Sequence, residues 1–571
     1  MTTAPRTGAR LLVDQLQIQG VNHLFCVPGE SYLGVLDALH DAPGIRLIVN
    51  RHESGSVFMA DAYARLTGQP GVAFVTRGPG ASNAAIGVHN ARQDSVPLVL
   101  FIGQVGTDLS GREAFQEIDY RLMFNGVAKA VEQIDRPDRI PEVVARAFQC
   151  ASSGRPGPVV VPLPEDVLEQ STQAEDARCH TPIQPAPSDT QIAALRSLLR
   201  RAQRPVLLLG GSGWTLAAQD NLRRFIEANA LPVACAFRFQ DHFDNEHANY
   251  IGDAGIGINP ALAARIGAAD LVVAIGARLG EMTTGGYTLL EAPVSRQTLV
   301  HVHPGIEELG RVYQAQLMIN SGVPQLAARL AMMMPIEDPP WSAQTPVARA
   351  EYEAWQQRPV VYQHGSDGKP AEPALDLWQV MRQLRSLMPR DAIIANGAGN
   401  FSVWLHRFFR YSGLGTQIAP TSGCMGFGVP AAIGAKITAP EKTVVCVTGD
   451  GDLMMTVQEL ATAAQYRVGV LFLVLNNAMY GTIRLHQERR FPGRVSGTAL
   501  ANPDFVQLAR SFGMYGARVA DTAAFAPAVA EALAYLREKR ASAMIELACD
   551  PDVLTPSATV GSLRGRPAGR A

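Results

Sequence analysis

The sequence predicts an α/β fold of three doubly wound parallel-sheet domains, and three observations predict it. Short apolar runs recur along the whole chain, with helical patterns between them. The runs are apolar at every position instead of alternating, which marks strands covered on both faces and therefore parallel sheets flanked by helices. Two proline-rich stretches, Thr181–Asp189 (TPIQPAPSD) and Pro335–Pro346 (PIEDPPWSAQTP), divide the 571 residues into near-equal thirds. Proline breaks helices and ladders, so both read as linkers. A single ordinary domain holds ~100–200 residues, so about three are expected. The expected domains are 1–180, 190–335 and 365–560.

The strands follow in order. The first third offers HLFCV, IRLIVN, GVAFVT, VPLVLFIG and GPVVVPL. The middle third offers RPVLLLGG, LPVACAF, ADLVVAIG and QTLVHVHP. The last offers AIIANG, KTVVCVTG, VLFLVLNN and SAMIELAC. In such sheets ligands bind beyond the carboxyl ends of the strands, so the residues closing each run are the first place to look for chemistry.

Composition bounds the function. Hydrophobic residues make up 47% and charged residues 18%, ample for buried cores, and the net charge is -2. No tract is strongly basic, so nucleic acid is not an expected partner. The terminal GSLRGRPAGRA reads as a frayed tail. Seven scattered cysteines form no CxxC or other metal-ligand spacing and read as free thiols in a reducing compartment. The opening MTTAPRTGARLLVDQLQIQG has no signal-peptide apolar core, and no run reaches the ~20 residues of a membrane span. The expectation is a cytoplasmic protein with no membrane partner.

The most informative stretch is VVCVTGDGDLMMTVQELATAAQYRVGVLFLVLNN, Val444–Asn477. A strand ends in GDGD. A helix is expected next, with Leu453, Val457, Leu460, Ala461 and Ala464 on one face. A return strand then ends in Asn476–Asn477. A right-handed βαβ unit brings both loops to one sheet edge, Asp450 facing Asn477. A carboxylate and an amide oxygen are hard ligands, suited to Mg²⁺ or Ca²⁺ and not to zinc or copper. Magnesium commonly shares its ligands with phosphates. Glycines let the backbone approach a phosphate, and a helix N-terminus offers N–H groups to it. GDG alone reads as an ordinary βα turn. GDG and NN, each closing a buried strand at this spacing, point to a metal with a diphosphate.

This GDG–NN pattern resembles thiamine diphosphate enzymes. TSGCMGFGVPAAIGAK and NPDFVQLARSFG resemble the acetolactate synthase branch of that superfamily. The resemblance spans nearly the whole chain and is strongest in the first and last thirds. It implies Mg²⁺ held by the side chains of Asp450 and Asn477 and the carbonyl of Met479. It implies thiamine diphosphate contacted by Gly397 and Asn400 of the GAGN loop, by Gly423, Gly449, Gly451 and Asp452, and by Tyr480, Gly481 and Thr482. Met425 falls where the family wedges an apolar side chain beneath the cofactor. In Arg51-His52-Glu53, a carboxylate at a helix N-terminus is ordinary dipole complementation. The resemblance makes Glu53 the catalytic acid that bonds N1′ of the aminopyrimidine and leaves His52 a scaffold residue. It also implies a homo-oligomer, dimer or tetramer, with Glu53 and Asp450 contributed by different subunits.

TRGPGASNAAIGVHNARQDSVPLVLFIGQV and GREAFQEIDYRLMFNGVAKAV carry the same resemblance. Phe115, Gln116 and Lys129 match positions that border the substrate pocket or steady its loop. Gly29 of the PGES turn and Ile483 match further pocket edges. Three departures stand out. His486 occupies the place of a Trp that narrows the acceptor site. ARLGEMTTGG and VHVHPGIEEL keep Arg278 but lose the acidic pattern associated with FAD, while LLLGGSGW remains a candidate nucleotide cradle. The residues after Gly399 read Asn-Phe, an incomplete polar pair. The implied activity is thiamine diphosphate- and Mg²⁺-dependent decarboxylation of a 2-oxo acid with carboligation to a second carbonyl, a transferase or lyase reaction. The alternative is a plain 2-oxo acid decarboxylase, or a C–C lyase like the 2-hydroxyacyl-CoA lyases and oxalyl-CoA decarboxylases, which share the AFQE segment. A non-catalytic binding protein is a third reading, and the intact Glu53, Asp450 and Asn477 argue against it.

Overall fold

The computed structural model describes residues 4–362 and 373–565. The chain forms two compact units, residues 1–184 and 185–571, divided inside the first proline-rich stretch. No described helix is long and apolar enough to cross a membrane.

The first unit carries β1 (His23–Cys26), β2 (Arg46–Val49), β3 (Gly71–Val75), β4 (Leu98–Gln104), β5 (Ala130–Val131) and β6 (Pro158–Pro164). All pair in parallel, in the order β2-β1-β3-β4-β6-β5. The central strands β3, β4 and β6 are buried at every position, as their unbroken apolar runs require. Helix Glu53–Thr67 follows β2. His52 caps it by accepting the Ser54 N–H on Nδ1 at 3.2 Å, and Gly68 ends it at φ 71°. It packs closely on helix Pro79–Asp94: a Cβ on Gly87 would stand 2.5 Å from the Val57 side chain. Arg65 ties the two helices together by pairing with both Asp61 and Asp94. Glu53 opens the first of these helices, and Asn83 stands in the second turn of the other.

The second unit contains two sheets. One carries β7 (Pro205–Leu209), β8 (Val233–Cys235), β9 (Tyr250–Asp253), β10 (Leu271–Ile275), β11 (Thr298–His303) and β12 (Leu317–Asn320), ordered β9-β8-β7-β10-β11-β12. That is the 3-2-1-4-5-6 order of dinucleotide-binding sheets. The other carries β13 (Ile393–Asn396), β14 (Gln417–Ile418), β15 (Val444–Gly449), β16 (Leu471–Asn476), β17 (Tyr515–Val519) and β18 (Ala543–Ala548), ordered β14-β13-β15-β16-β18-β17. Both are parallel throughout.

Three expectations change. The second proline-rich stretch is not a free linker. Trp341 is buried and donates its indole N–H to the Asn229 carbonyl at 2.9 Å, and the Ile336 N–H reaches Asn229 Oδ1 at 2.8 Å. An apolar side chain every few residues lets a proline-rich segment coat a core. The expected start of the third domain, residue 365, falls outside the described residues. The terminal GSLRGRPAGRA is not frayed where it is described: Val560–Arg564 is helical, with Thr559 capping it and Arg564 bonded to the buried Glu488 at 2.8 Å. Its last residues, 566–571, are outside the described set. The expected helix after GDGD is interrupted. One turn, Asp450–Leu453, gives way to a bend, and the helix resumes at Glu459–Gln465. The Thr456 hydroxyl bonds the Gly426 carbonyl at 2.8 Å and diverts the chain. The buried face becomes Leu460 and Ala463, with Ala464 exposed.

Candidate active site

In the first unit the candidate residues gather beyond the carboxyl ends of β1, β2 and β3. Glu53, at the start of its helix, is only 9% exposed, and its Oε2 accepts the Asn83 amide N–H at 2.9 Å. Gly80 stands against it: an added Cβ would come 3.4 Å from Oε1 and 2.9 Å from the Thr76 methyl. Gly29 must be glycine for a similar reason, since a Cβ there would lie 2.4 Å from Thr76 Cβ. The Tyr120 hydroxyl receives the Gly78 N–H at 2.9 Å, and Gln116 packs against Gly78 from a left-handed backbone at φ 65°. Phe115 beside it is 72% exposed, and Leu33 and Leu122 are similarly bare. Lys129 does not join this group. Its ammonium donates to the carbonyls of Cys150, Ser153 and Arg155 at 2.6–2.7 Å, capping the end of helix Ile140–Ser152. It precedes β5, on the opposite edge of the sheet, so it is neither a pocket residue in this unit nor a solvated charge.

In the last sheet the strand order reverses between β13 and β15, and both of their loops carry predicted residues. Gly397–Asn400 follows β13, GDGD closes β15, and Asn476–Asn477 closes β16. Asp450 is buried, and its Oδ2 accepts the Asn502 amide at 2.7 Å; the same amide reaches Asn476 Oδ1 at 3.0 Å. Burial holds the Asp450 carboxyl above its ordinary pKa, and hydrogen bonds from Asn502 and the backbone oppose the rise. Ala478 adopts φ 54°, a strained conformation for a residue with a Cβ. The kink turns the chain after Asn477 so that the Met479 N–H meets Asn477 Oδ1 at 3.3 Å. Met479 then bridges Ala499 through bonds that use the Ala478 and Thr498 carbonyls.

Asp452 differs from its neighbour Asp450. Its carboxylate takes the N–H groups of Ala398 (3.2 Å) and Gly426 (2.8 Å) and the Thr448 hydroxyl (2.6 Å). Burial raises its pKa to about 6. A carboxylate with three protein donors ties the GAGN and GCMG loops together. The GDG glycines also have a different reason from the expected one. A Cβ on Gly451 would stand 2.6 Å from the Tyr480 ring, and one on Gly449 2.9 Å from Phe401. These positions are small because two aromatic rings lie on them. The Asn-Phe departure therefore seats a ring under the GDGD turn.

Asn400 gives the test of whether a diphosphate fits. Its Oδ1 receives the Thr482 hydroxyl at 2.9 Å, while its buried Nδ2 has no partner among the described residues. Gly481 borders the same spot, its missing Cβ 3.2 Å from Asn477 Nδ2 and 3.8 Å from Asn400 Nδ2. An unanswered amide donor, a hydroxyl and a carboxylate with amide and carbonyl oxygens beside it suit an anionic diphosphate with a hard cation. Met425 is half-buried, Gly423 is exposed at φ 69°, and Ile483 and His486 lie exposed on helix Gly481–Arg490.

The central sheet does not fit FAD in the way the resemblance requires. Trp214 Nε1 donates to the Gly210 carbonyl at 2.9 Å, and His242 Nε2 meets the Gly211 carbonyl at 2.7 Å, so two rings cover the glycine turn. β11 ends in the buried His301 and His303 instead of carboxylates. The surviving Arg278 faces the buried Glu308 at 3.4 Å.

Two contributors escaped the sequence reading. Asn83 and Asn502 both lie inside quoted runs, but a lone Asn in a helical or loop stretch carries no spacing signal, and only the fold shows that each faces a carboxylate.

Comparison with known proteins agrees with this geometry. Family models match three segments: the thiamine pyrophosphate enzyme N-terminal TPP binding domain at residues 6–123, the central domain at 192–330 and the C-terminal TPP binding domain at 397–547. The chain is 34% identical over 539 residues to the acetolactate synthase large subunit of Parasynechococcus marenigrum (strain WH8102), covering 91% of this chain and 84% of that protein. It is 33% identical over 558 residues to the acetolactate synthase isozyme 3 large subunit of Escherichia coli (strain K12), covering 94% and 93%. The isozyme 2 large subunit of the same organism is 32% identical over 522 residues, covering 90% of each. With the Asp450–Asn477 edge, the Glu53 helix and all three family segments in one polypeptide, the chain belongs to the thiamine pyrophosphate enzyme family and is a thiamine pyrophosphate-dependent enzyme related to the acetolactate synthase large subunits.

Proposed function

We propose that this enzyme decarboxylates a 2-oxo acid such as pyruvate and joins the remaining acyl unit to a second carbonyl, using thiamine diphosphate and Mg²⁺. The observation that carries the reading is the unanswered Asn400 amide beside Thr482, Asn477 and the buried Asp450 on one sheet edge. The relationship to acetolactate synthase large subunits supports the choice of reaction. When bound, thiamine diphosphate supplies an electron sink for the loss of CO₂ from a 2-oxo acid. Asp450, Asn477 and the Met479 carbonyl would hold the cation. Asn400 and Thr482 would hold the diphosphate, and Gly397 keeps its loop close to Asp452. Met425 would pack beneath the rings. Glu53 would hold a proton at the aminopyrimidine N1′ and exchange it, while Asn83 fixes its carboxylate by one amide bond. The apolar rim of Leu33, Phe115 and Leu122 suits burial against a second copy, so that a dimer or tetramer completes the centre with Glu53 and Asp450 from different chains. No role is proposed for FAD, given the covered glycine turn.

A second reading has its own support. The exposed His486 presents a polar, proton-bearing ring where the resemblance expects an acceptor-narrowing Trp. That favours a decarboxylase or a C–C lyase that delivers a proton in place of a second carbonyl. One experiment separates the two: incubate the protein with pyruvate, thiamine diphosphate and Mg²⁺, follow CO₂, and identify products by mass spectrometry. Acetolactate supports carboligation, acetaldehyde alone supports the second reading, and no CO₂ refutes pyruvate as donor and directs the search to acyl-CoA substrates.

A further inference from the structure

We infer that Arg238, which belongs to the central sheet, is a positioning residue for the cofactor loops of the last sheet; this rests on the thiamine diphosphate reading above. Arg238 follows β8 and is 5% exposed. Its backbone sits at φ 63°, a left-handed conformation that is costly for a residue with a Cβ and persists only where the surroundings enforce it. The strained backbone sends the side chain out of its own sheet, across the ring of Phe237 at 5.0 Å, and between two loops of the other.

Two of its guanidinium contacts reach those loops. Nη1 donates to the Pro420 carbonyl, and Nη2 reaches the Ser402 hydroxyl at 3.4 Å. Pro420 is the first residue of the turn that delivers Gly423 and Met425; its carbonyl also takes the Gly423 N–H at 3.1 Å. Ser402 is bonded through its hydroxyl to the Gly399 carbonyl at 2.7 Å and through its N–H to the same oxygen at 3.0 Å, closing the turn that presents Asn400. One planar fork thus spans the GAGN loop and the Pro420–Met425 loop. The Asp452 carboxylate spans the same two loops, bonding the N–H groups of Ala398 and Gly426. Arginine is needed because its donors lie in a fixed fork, whereas an ammonium is a point charge on a flexible stem. Neighbouring bonds make the seam continuous: Asp241 Oδ2 accepts the Gly415 N–H at 2.9 Å, and the Gln240 amide reaches the His406 carbonyl at 2.7 Å. The central sheet therefore contributes to the cofactor site by setting the distance between two loops, without offering a ligand of its own.

The test uses the full-length protein stripped of cofactor, titrated with thiamine diphosphate in excess Mg²⁺ by calorimetry, alongside thermal melting of each apoprotein. Arg238→Gln should weaken cofactor binding by about tenfold or more, the scale of lost outer-sphere support, with partial recovery on adding millimolar guanidinium. Arg238→Lys should bind with intermediate affinity. Ser402→Ala, which spares the buried arginine, should weaken binding by a smaller factor while melting as the native apoprotein does, and it decides the matter if Arg238→Gln fails to fold. Native-like affinity in folded Arg238→Gln, or in both Ser402→Ala and Arg238→Lys, overturns this inference alone. Failure of the native chain to bind thiamine diphosphate overturns the functional reading together with it.

Discussion

The sheets of residues 23–164 and 393–548 share one strand order, with the reversal between their first and third strands, yet use the same edge differently. In the first, the Glu53 carboxylate rests on one amide, and the same unit exposes the apolar side chains of Leu33, Phe115 and Leu122. In the last, Asp450 and Asp452 sit side by side in a mesh of amides, hydroxyls and backbone donors. A proton-handling group needs few partners, so that its charge state can change. A metal and diphosphate site needs many, so that its loops keep their spacing. Topology supplies the edge, and the loops supply the chemistry.

The largest break in this comparison should come from Glu53→Gln. It should keep cofactor binding and lower turnover by about 10²–10⁴-fold, the worth of a positioned acid–base group. Near-native turnover would remove the role assigned to Glu53. Asp450→Ala should instead abolish Mg²⁺-dependent retention of thiamine diphosphate, read by equilibrium dialysis with and without chelator; equal retention in both conditions would refute the metal assignment. Asn502→Ala should weaken Mg²⁺ affinity by about 10–100-fold, since it removes a support to a ligand and not the ligand itself. A loss as complete as that of Asp450→Ala would make Asn502 a direct ligand.

The smallest effect concerns the helix that carries Ile483 and His486. Glu488 on that helix is nearly fully buried, bonded to Arg564 and Arg484 and to the Gly493 N–H. These partners, Arg564 first, lower its pKa to about 2. A carboxylate depressed in the fold gives stability that is present above its ordinary value near ~4.3 and lost as pH falls from there toward about 2. Urea midpoints at pH 5 and pH 3 should therefore separate more in the native protein than in Glu488→Gln. Equal separation would show that the C-terminal helix does not stabilise the Gly481–Arg490 helix through Glu488.

Every strand named in the sequence is present, and five strands of the three six-stranded sheets went unnamed: β5, β9, β12, β14 and β17. All five are edge strands. The interior strands are covered on both faces and must be apolar throughout, which is legible in one dimension. Ala130–Val131, Leu317–Asn320 and Tyr515–Val519 are only partly buried, so their composition is mixed and gives no pattern. The site divides in the same way. Asp450 and Asn477 could be singled out because each closes a strand and the chain direction fixes that edge, whereas Glu53 was singled out only through the family resemblance. Asn83, Asn502 and Arg238 could not, because what each does is set by a residue 30, 52 or 182 positions away. The sequence by itself determined the fold class, the three sheets and the edge where the chemistry sits, since these follow from local hydrophobic period and strand order. Only the tertiary structure decided how each carboxylate is partnered, Glu53 by one amide and Asp452 by three donors, because that depends on donors converging from different loops.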